Sequence, residues 1–230
     1  KLSPLPGAPI QLQLPPTVFV GIPGVGKTLF VSALAEAFYL DFERVNLETS
    51  QASLELMGTA RGWSNSQPGL LFRWMIRSEF ANGICVMEEL DKAAQANAQY
   101  PIANSLLQLL ETTTVRRFCD LSIPELKLDL SKINFLFTAN ALDGIHTALL
   151  SRVIVYEVPD LTPDQAKNVA IRQYEDMIKN LGLPGTSLEL TPAGLALLSK
   201  ESPRRQRLML QLAIGAAVYR QSKELVFQKT

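Results

Sequence analysis

The chain has 230 residues and a formal net charge of zero, with 47% hydrophobic and 19% charged residues. This composition excludes a disordered chain and disfavours broad electrostatic binding to nucleic acid. No stretch of about 18 apolar residues is present, so no membrane partner is predicted. Cys85 and Cys119 make no disulfide framework, which favours a reducing compartment and predicts a cytoplasmic protein. The single histidine, His146, excludes a histidine-rich zinc site.

Short apolar runs alternate with helix-forming runs along most of the chain. The first sixteen residues hold five prolines and predict an extended arm over residues 1–16. The alternation that follows predicts an α/β domain over residues 17–158, a parallel five-stranded sheet flanked by helices. The predicted strands are Thr17–Val20, Arg44–Leu47, Ile84–Met87, Ile133–Phe137 and Val153–Val158. The predicted helices between them are Thr28–Phe42, Leu70–Ala81 and Ile102–Glu111.

The octet Gly21–Thr28, GIPGVGKT, fits the phosphate-loop pattern of Gly, four residues, then Gly-Lys-Thr. It stands between a predicted strand and a predicted helix, where glycines let successive N–H groups point at phosphate oxygens. The first helical turn adds orphan N–H groups and the positive end of its dipole. Lys27 reaches the β- and γ-phosphates in such loops, and the Thr28 hydroxyl binds Mg²⁺. The predicted nucleotide-binding residues here are Gly21, Pro23, Gly24, Val25, Gly26, Lys27, Thr28 and Leu29.

Two carboxylates follow the predicted strand Ile84–Met87 directly. Acids at the end of a buried strand are costly unless they are paired or bound to metal. With the phosphate loop upstream, we predict that Glu88 holds Mg²⁺ and that Glu89 polarises the attacking water. Asn140 ends another apolar run and is a candidate for orienting the same water or touching the γ-phosphate. Asparagine at a strand exit is also a common turn residue, so both interpretations stay open.

A second, helical domain is predicted over residues 159–230, with helices at 162–181 and 191–223. Thr162 and Thr191 are each followed by proline, a pattern typical of helix starts. Arg204 and Arg205 begin a helix although cations there oppose its dipole, which makes them candidates for contacting the nucleotide. Arg152, before the last predicted strand, is a candidate arginine finger for a neighbour's γ-phosphate or else a surface salt-bridge residue.

These motifs together resemble the AAA+ ATPase module and, within that class, the ATPase part of Lon-type proteases. The stretches that carry the resemblance are Gly21–Thr28, Val86–Lys92, Leu106–Glu111, Phe118–Asp120 and Asp129–Asn140. The resemblance implies a P-loop NTPase fold with a small α-helical lid domain and ATP as the nucleotide. By position it implies the following roles: Walker A for Lys27 and Thr28, Walker B for Glu88 and Glu89, sensor 1 for Asn140, arginine finger for Arg152, and sensor 2 for Arg204 or its neighbour Arg205.

The resemblance also implies a homo-oligomeric ring, a hexamer in similar proteins, that pulls a protein substrate through its channel. Trp63 lines up with the pore-loop aromatic of such rings, although an ordinary core or surface tryptophan is an equal alternative. Two departures stand out. Glu88 occupies a position where aspartate is usual, and Trp63 replaces tyrosine or phenylalanine and is followed by Ser64 instead of an aliphatic residue.

Two other functions remain open at this point. A motor or loader that acts on nucleic acid would use basic residues to line a channel for phosphates, with Arg73, Arg77, Arg116 and Arg117 as candidates. A nucleotide-gated assembly protein would hydrolyse ATP slowly or not at all, and the unusual Glu88 is its best support. A small-molecule kinase is disfavoured, because Glu88, Glu89, Asn140 and Arg152 would then each need a separate explanation.

Overall fold

The computed structural model describes residues 12–49, 51–93, 102–182 and 188–227. The chain divides into two compact units. The first comprises the described residues up to Gly21 together with Lys27–Val158, and the second comprises Ile22–Gly26 and Pro159–Thr230. Within the described ranges, every helix is too short or too polar to cross a bilayer.

The first unit contains all seven strands that the structure describes. In chain order these are β1 (Thr17–Val20), β2 (Phe42–Asn46), β3 (Ile84–Glu88), β4 (Phe118–Asp120), β5 (Ile123–Leu128), β6 (Asn134–Ala139) and β7 (Ile154–Glu157). Five of them form one sheet in the order β2-β3-β6-β1-β7, and every neighbouring pair is parallel. The predicted five-stranded parallel sheet is therefore confirmed.

Eight α-helices occur in the described residues. They are α1 (Lys27–Ala37), α2 (Ala52–Met57), α3 (Leu70–Arg77), α4 (Ile102–Leu110), α5 (Thr147–Leu150), α6 (Pro163–Asn180), α7 (Pro192–Leu198) and α8 (Pro203–Arg220). The predicted helix starts at Thr162 and Thr191 are confirmed, because their hydroxyls accept hydrogen bonds from the backbone N–H groups of Gln165 and Gly194. Such bonds satisfy donors that a helix N-terminus leaves without partners.

Three predicted helices were wrong at their ends. The helix predicted to reach Phe42 ends at Ala37, because Tyr39 takes a φ of 54° and Leu40 N–H bonds back to the Ala35 carbonyl at 2.9 Å. The helix predicted over Leu70–Ala81 ends at Arg77, where the next residue is extended. The helical region predicted over 191–223 is two helices, because Pro203 cannot continue a preceding helix but suits the first turn of α8.

The central strands β3 and β6 are buried on both faces of the sheet. All six residues of β6 are buried, as are the first four of β3, whereas all four residues of the edge strand β7 are exposed. One face packs into a large apolar cluster that includes Met87 and Phe137, and the other face packs against Val31 and Ala35 of α1. Side chains along a strand buried on both faces do not reach solvent, so charged groups are expected at the ends of such a strand. In parallel sheets ligands bind at the carboxyl end.

Sequence patterning missed the antiparallel hairpin that β4 and β5 form. Phe118 pairs with Leu128, and Asp120 pairs with Ile123 after a register shift. The apolar pattern is weak here, because β4 has three residues and β5 contains Pro124 and is mostly exposed.

Asn134, the first residue of β6, ties the segment before β1 to the sheet. Its fully buried side chain accepts a hydrogen bond from Leu14 N–H at 2.6 Å and donates to the Leu12 carbonyl at 3.2 Å. The same amide also donates to the carbonyls of Asn82 and Gly83. Of the arm predicted over residues 1–16, the first eleven residues lie outside the described part of the chain.

Candidate functional site

Five of the polar residues singled out in the sequence lie at the carboxyl edge of the sheet, namely Lys27, Thr28, Glu88, Glu89 and Asn140. β1 and β6 are neighbours with Val20 opposite Ala139, so Gly21 and Asn140 leave the sheet side by side. β3 lies on the other side of β6 and ends at Glu88. Parallel neighbours therefore bring together groups that are more than 110 positions apart in the sequence.

Lys27 links two of these strand ends. Its ammonium donates to the Gly21 carbonyl at 2.6 Å and to Asn140 Oδ1 at 3.1 Å, and the residue is only 8% exposed. Burial lowers the pKa of the Lys27 amine, while the carboxylates of Asp91 and Glu89 oppose that shift. The acceptors of this amine are oxygen atoms, the kind of partner that a phosphate group also offers.

The loop before α1 needs glycine for its backbone conformation. Gly24 has a φ of 81° and Gly26 a φ of 106°, values that strain any residue with a side chain. A Cβ atom at Gly26 would meet nothing within 4 Å, so conformation and not packing explains that glycine. A Cβ at Gly21 would instead lie 2.5 Å from the Val158 carbonyl oxygen. Among the other predicted loop residues, Val25 is buried, whereas Pro23 and Leu29 are exposed to solvent.

Thr28 and Glu88 form the predicted magnesium pair. The Thr28 hydroxyl donates a short hydrogen bond to Glu88 Oε1. No cluster of three or more His, Cys, Asp or Glu side chains suited to a metal occurs among the residues with described positions. A hydroxyl and one carboxylate fit Mg²⁺, which keeps several waters and takes its remaining ligands from phosphate oxygens. The donor set therefore matches this ion better than one that needs an all-protein cage.

Arg44 is a residue of this site that the sequence did not indicate. Its Nε and Nη2 atoms both donate to Glu88 Oε2, at 3.1 and 2.5 Å. The two oxygens of Glu88 are thus divided between Thr28 on one side and Arg44 on the other. The contact depends on the pairing of β2 with β3, which the sequence pattern does not reveal.

Glu89 has an unusual backbone conformation and a raised pKa. Its φ is 62°, a left-handed value that is uncommon outside glycine and is often found at functional sites. Lys92 donates to Glu89 Oε2 at 3.0 Å and to Glu48 Oε1 at 3.2 Å. The hydrogen bond with Glu48 is the main cause that raises the pKa of Glu89, and it lowers the pKa of Glu48. A raised pKa makes this carboxylate a better proton acceptor than an ordinary one. Glu48 and Lys92 were also missed in the sequence.

The three candidate arginines have different surroundings. Arg152 donates to the Ala148 carbonyl at 2.8 Å and lies 3.6 Å from Glu111, in the first unit. Arg205 pairs with Glu201 at 3.1 Å. Arg204 lies against the phosphate loop within the second unit, where a Cβ on Gly24 would be 3.4 Å from its own Cβ. Of the two neighbours, Arg204 is the one whose Cβ lies near Gly24.

Trp63 lies in the loop between Gly58 and Gly69 and is 52% exposed, whereas Trp74 is 4% exposed. The alternative that Trp63 is a core residue is therefore wrong. The fully buried carboxylate of Asp120 lies against both ends of this loop. Gly69 N–H donates to Asp120 Oδ2 at 2.7 Å, and a Cβ at Gly58 would collide with the same carboxylate. The exposed aromatic ring of Trp63 therefore stands on a loop that is hydrogen-bonded to the buried carboxylate at Gly69.

Comparisons with known proteins agree with the fold. The profile of the ATPase family associated with various cellular activities (AAA) matches residues 17–159. The peroxisomal Lon protease homolog 2 of Oryza sativa subsp. indica is 32% identical over 213 residues, which are 89% of this chain and 24% of that protein. The Lon protease of Halothermothrix orenii is 30% identical over 228 residues, or 98% of this chain and 28% of that protein. The chain thus spans about a quarter of the length of these relatives.

A solved structure of Hsp104 with ATPγS and FITC-casein has the same fold. The TM-score is 0.71 at 15% sequence identity, and the match covers 92% of this chain and 42% of that one. At this level of identity the likeness concerns the fold alone.

The conformational requirement at Gly26 gives a stability prediction with a matched control. Gly26→Ala should lower the free energy of unfolding by about 1–3 kcal/mol, because alanine is strained at this φ. Gly215→Ala in α8, where a Cβ also meets nothing within 4 Å, should raise it by up to about 1 kcal/mol. Urea titration of both variants measures the difference. Equal effects of the two substitutions would show that backbone conformation is not what requires Gly26.

Proposed function

The chain belongs to the AAA family of ATPases, and on this premise we propose that it binds Mg-ATP, hydrolyses it and remodels protein substrates. The observation that carries the proposal is the bonded group at the carboxyl edge of the sheet. Lys27 is joined to Gly21 and Asn140 there, and Thr28 is joined to Glu88. In the family these are the positions at which a triphosphate and its metal are held.

Binding is assigned to the loop and to the residues that it brings to the sheet edge. The positive φ values of Gly24 and Gly26 turn the loop backbone as a phosphate cradle requires. Lys27 supplies a buried positive charge for the β- and γ-phosphates, and Thr28 and Glu88 supply oxygen ligands for Mg²⁺. When bound, Mg²⁺ offsets the charge on the phosphate oxygens. Arg204, which lies against Gly24, is proposed to sense the γ-phosphate.

Hydrolysis is assigned to Glu89 and Asn140. Glu89 accepts a proton from the attacking water, a role that its raised pKa supports. The amide of Asn140 orients that water or the γ-phosphate, and its bond to Lys27 fixes the amide at the strand end. The carboxylate of Glu88 is bonded to Thr28 despite the extra methylene, which supports a metal-binding role for Glu88 over the alternative of an assembly protein without turnover.

Ring assembly and a protein substrate complete the proposal. Arg152 is proposed to complete the site of an adjacent copy in a homo-oligomeric ring, a hexamer by analogy with similar proteins. Trp63 is proposed to contact the substrate, since its ring is exposed on a loop whose base is fixed. Lon relatives are named as proteases and Hsp104 was solved with FITC-casein, which supports a polypeptide substrate.

The alternative of a nucleic-acid motor has less support. Arg77, one of its four candidate channel residues, is paired with Glu43 at 2.9 Å. The chain as a whole has zero net charge, which gives no general attraction for a phosphate backbone.

The predicted cytoplasmic location is kept as part of the proposal. Cys85 and Cys119 are both free, as a reducing compartment allows. The rice relative is named as peroxisomal, which describes the compartment of that protein and not that of this chain.

Glu89→Gln should retain nucleotide binding and lose hydrolysis. The amide keeps the shape of the side chain but cannot accept the proton, so phosphate release should fall by about 10²–10⁴-fold. Equilibrium binding of a fluorescent ATP analogue and phosphate release are measured on the same samples. Glu36→Gln, which changes an exposed glutamate of α1, is the matched control and should keep both properties. Turnover at the wild-type rate in Glu89→Gln would refute the assignment.

The Arg152 assignment predicts complementation between two inactive variants. An arginine supplied by a neighbouring subunit raises the hydrolysis rate by about 10³–10⁵-fold in other phosphate-loop enzymes. The variant Arg152→Ala should therefore be nearly inactive. A mixture of Arg152→Ala and Glu89→Gln should regain activity, because some sites then combine an intact Glu89 with a neighbour's intact Arg152. Co-assembly is verified by light scattering. A co-assembled mixture no more active than its separate components would contradict the role in trans.

A further inference from the structure

Arg44 and Glu88 form an ion pair on neighbouring strands beside the Thr28 hydroxyl. In the pairing of β2 with β3, Arg44 stands opposite Val86 and Asn46 stands opposite Glu88. Arg44 and Glu88 are thus diagonal neighbours, two positions apart on one face of the sheet. A long arginine side chain can reach such a diagonal partner.

Two nitrogen atoms of the Arg44 guanidinium donate to one carboxylate oxygen. Nε and Nη2 reach Glu88 Oε2 at 3.1 and 2.5 Å, and Oε1 remains for the Thr28 hydroxyl. The Glu88 side chain is 15% exposed, while that of Arg44 is 59% exposed. The arginine therefore holds a mostly buried carboxylate from its solvent side and orients its other oxygen.

The length of Glu88 matters for this contact. An aspartate would withdraw the carboxylate by about one carbon–carbon bond, roughly 1.5 Å, and the Nη2 contact would no longer be a hydrogen bond. The longer glutamate also has one more rotatable bond, so its carboxylate needs more restraint to keep one orientation. The Glu88 side chain is thus long enough to accept the hydrogen bonds of Arg44, whereas an aspartate side chain is not.

We propose that Arg44 is a positioning residue for magnesium: by holding Oε2 of Glu88, it keeps Oε1 directed at Thr28. This role rests on the proposed function of the Thr28 and Glu88 pair. Arg44 also brings a positive charge that repels a cation, but its exposure to water and salt screens that repulsion. The loss of orientation should therefore outweigh the loss of repulsion when Arg44 is removed.

A double-substitution cycle on nucleotide binding tests this role. Wild type, Arg44→Gln, Glu88→Asp and the double variant are titrated with MgCl₂ at a fixed concentration of a fluorescent ATP analogue. Arg44→Gln should raise the half-saturating Mg²⁺ concentration about fivefold with Glu88 present, as expected for loss of a charge-assisted hydrogen bond. In the Glu88→Asp background, where the contact is already lost, it should raise it less than about twofold.

Arg77→Gln is the matched control. Arg77 is 66% exposed and pairs with Glu43 on the same strand β2, so its removal takes away a comparable charge without touching Glu88. It should leave the half-saturating Mg²⁺ concentration unchanged. Circular dichroism verifies that each variant is folded. Should Arg44→Gln not fold, Arg44→Lys replaces it, since lysine keeps the charge but loses the paired donors, and the same pattern is expected.

Three results would overturn the role of Arg44: no change in Arg44→Gln, an equal change in both Glu88 backgrounds, or a similar change in Arg77→Gln. In these cases wild type still binds nucleotide, so the proposed function stands. Absence of nucleotide binding by wild type at every Mg²⁺ concentration would overturn both.

Discussion

The buried ammonium of Lys27 is the interaction on which the candidate site depends. It is bonded to the carbonyl that follows β1 and to the amide that follows β6, so it joins two neighbouring strands at their carboxyl ends. The strands determine where such a group can lie. Because β6 is buried along its whole length, a side chain can contact a ligand only where the strand ends. A charge buried at this point has to be stabilised, and the two oxygen acceptors do so together with the nearby carboxylates of Asp91 and Glu89.

Each of the two predicted acids is bonded to a cation, and Glu89 shares its cation with Glu48. Glu88 is held by Arg44, and Glu89 is held by Lys92. Carboxylates near one another repel and shift each other's pKa. The two cations offset this repulsion between Glu88 and Glu89. The two acids also have different surroundings. Glu88 presents one oxygen beside Thr28, whereas Glu89 stands on a left-handed backbone and accepts a hydrogen bond from Lys92.

The sequence predicted much of this structure because the relevant signals are local. A glycine pattern between a strand and a helix identifies the phosphate loop, and acids directly after an apolar run identify the edge of the sheet. Arg44 was missed because its contact depends on the register between β2 and β3, which no local pattern specifies. The clamp of Asp120 on Gly69 was missed for the same reason, since it joins positions 51 apart. The domain boundaries and the roles of the site residues stay predictions.

Calorimetric titration with ATP and Mg²⁺ tests the central claim most directly, with wild type compared with Lys27→Met and Lys132→Met. Methionine keeps most of the length of the unbranched side chain and removes its charge, and Lys132 is an exposed lysine of the same unit. Wild type and Lys132→Met should bind ATP alike. Lys27→Met should bind at least about tenfold more weakly, because charge-assisted hydrogen bonds to phosphate are lost. Binding of ATP by Lys27→Met with wild-type affinity, or no binding by wild type, would contradict the account.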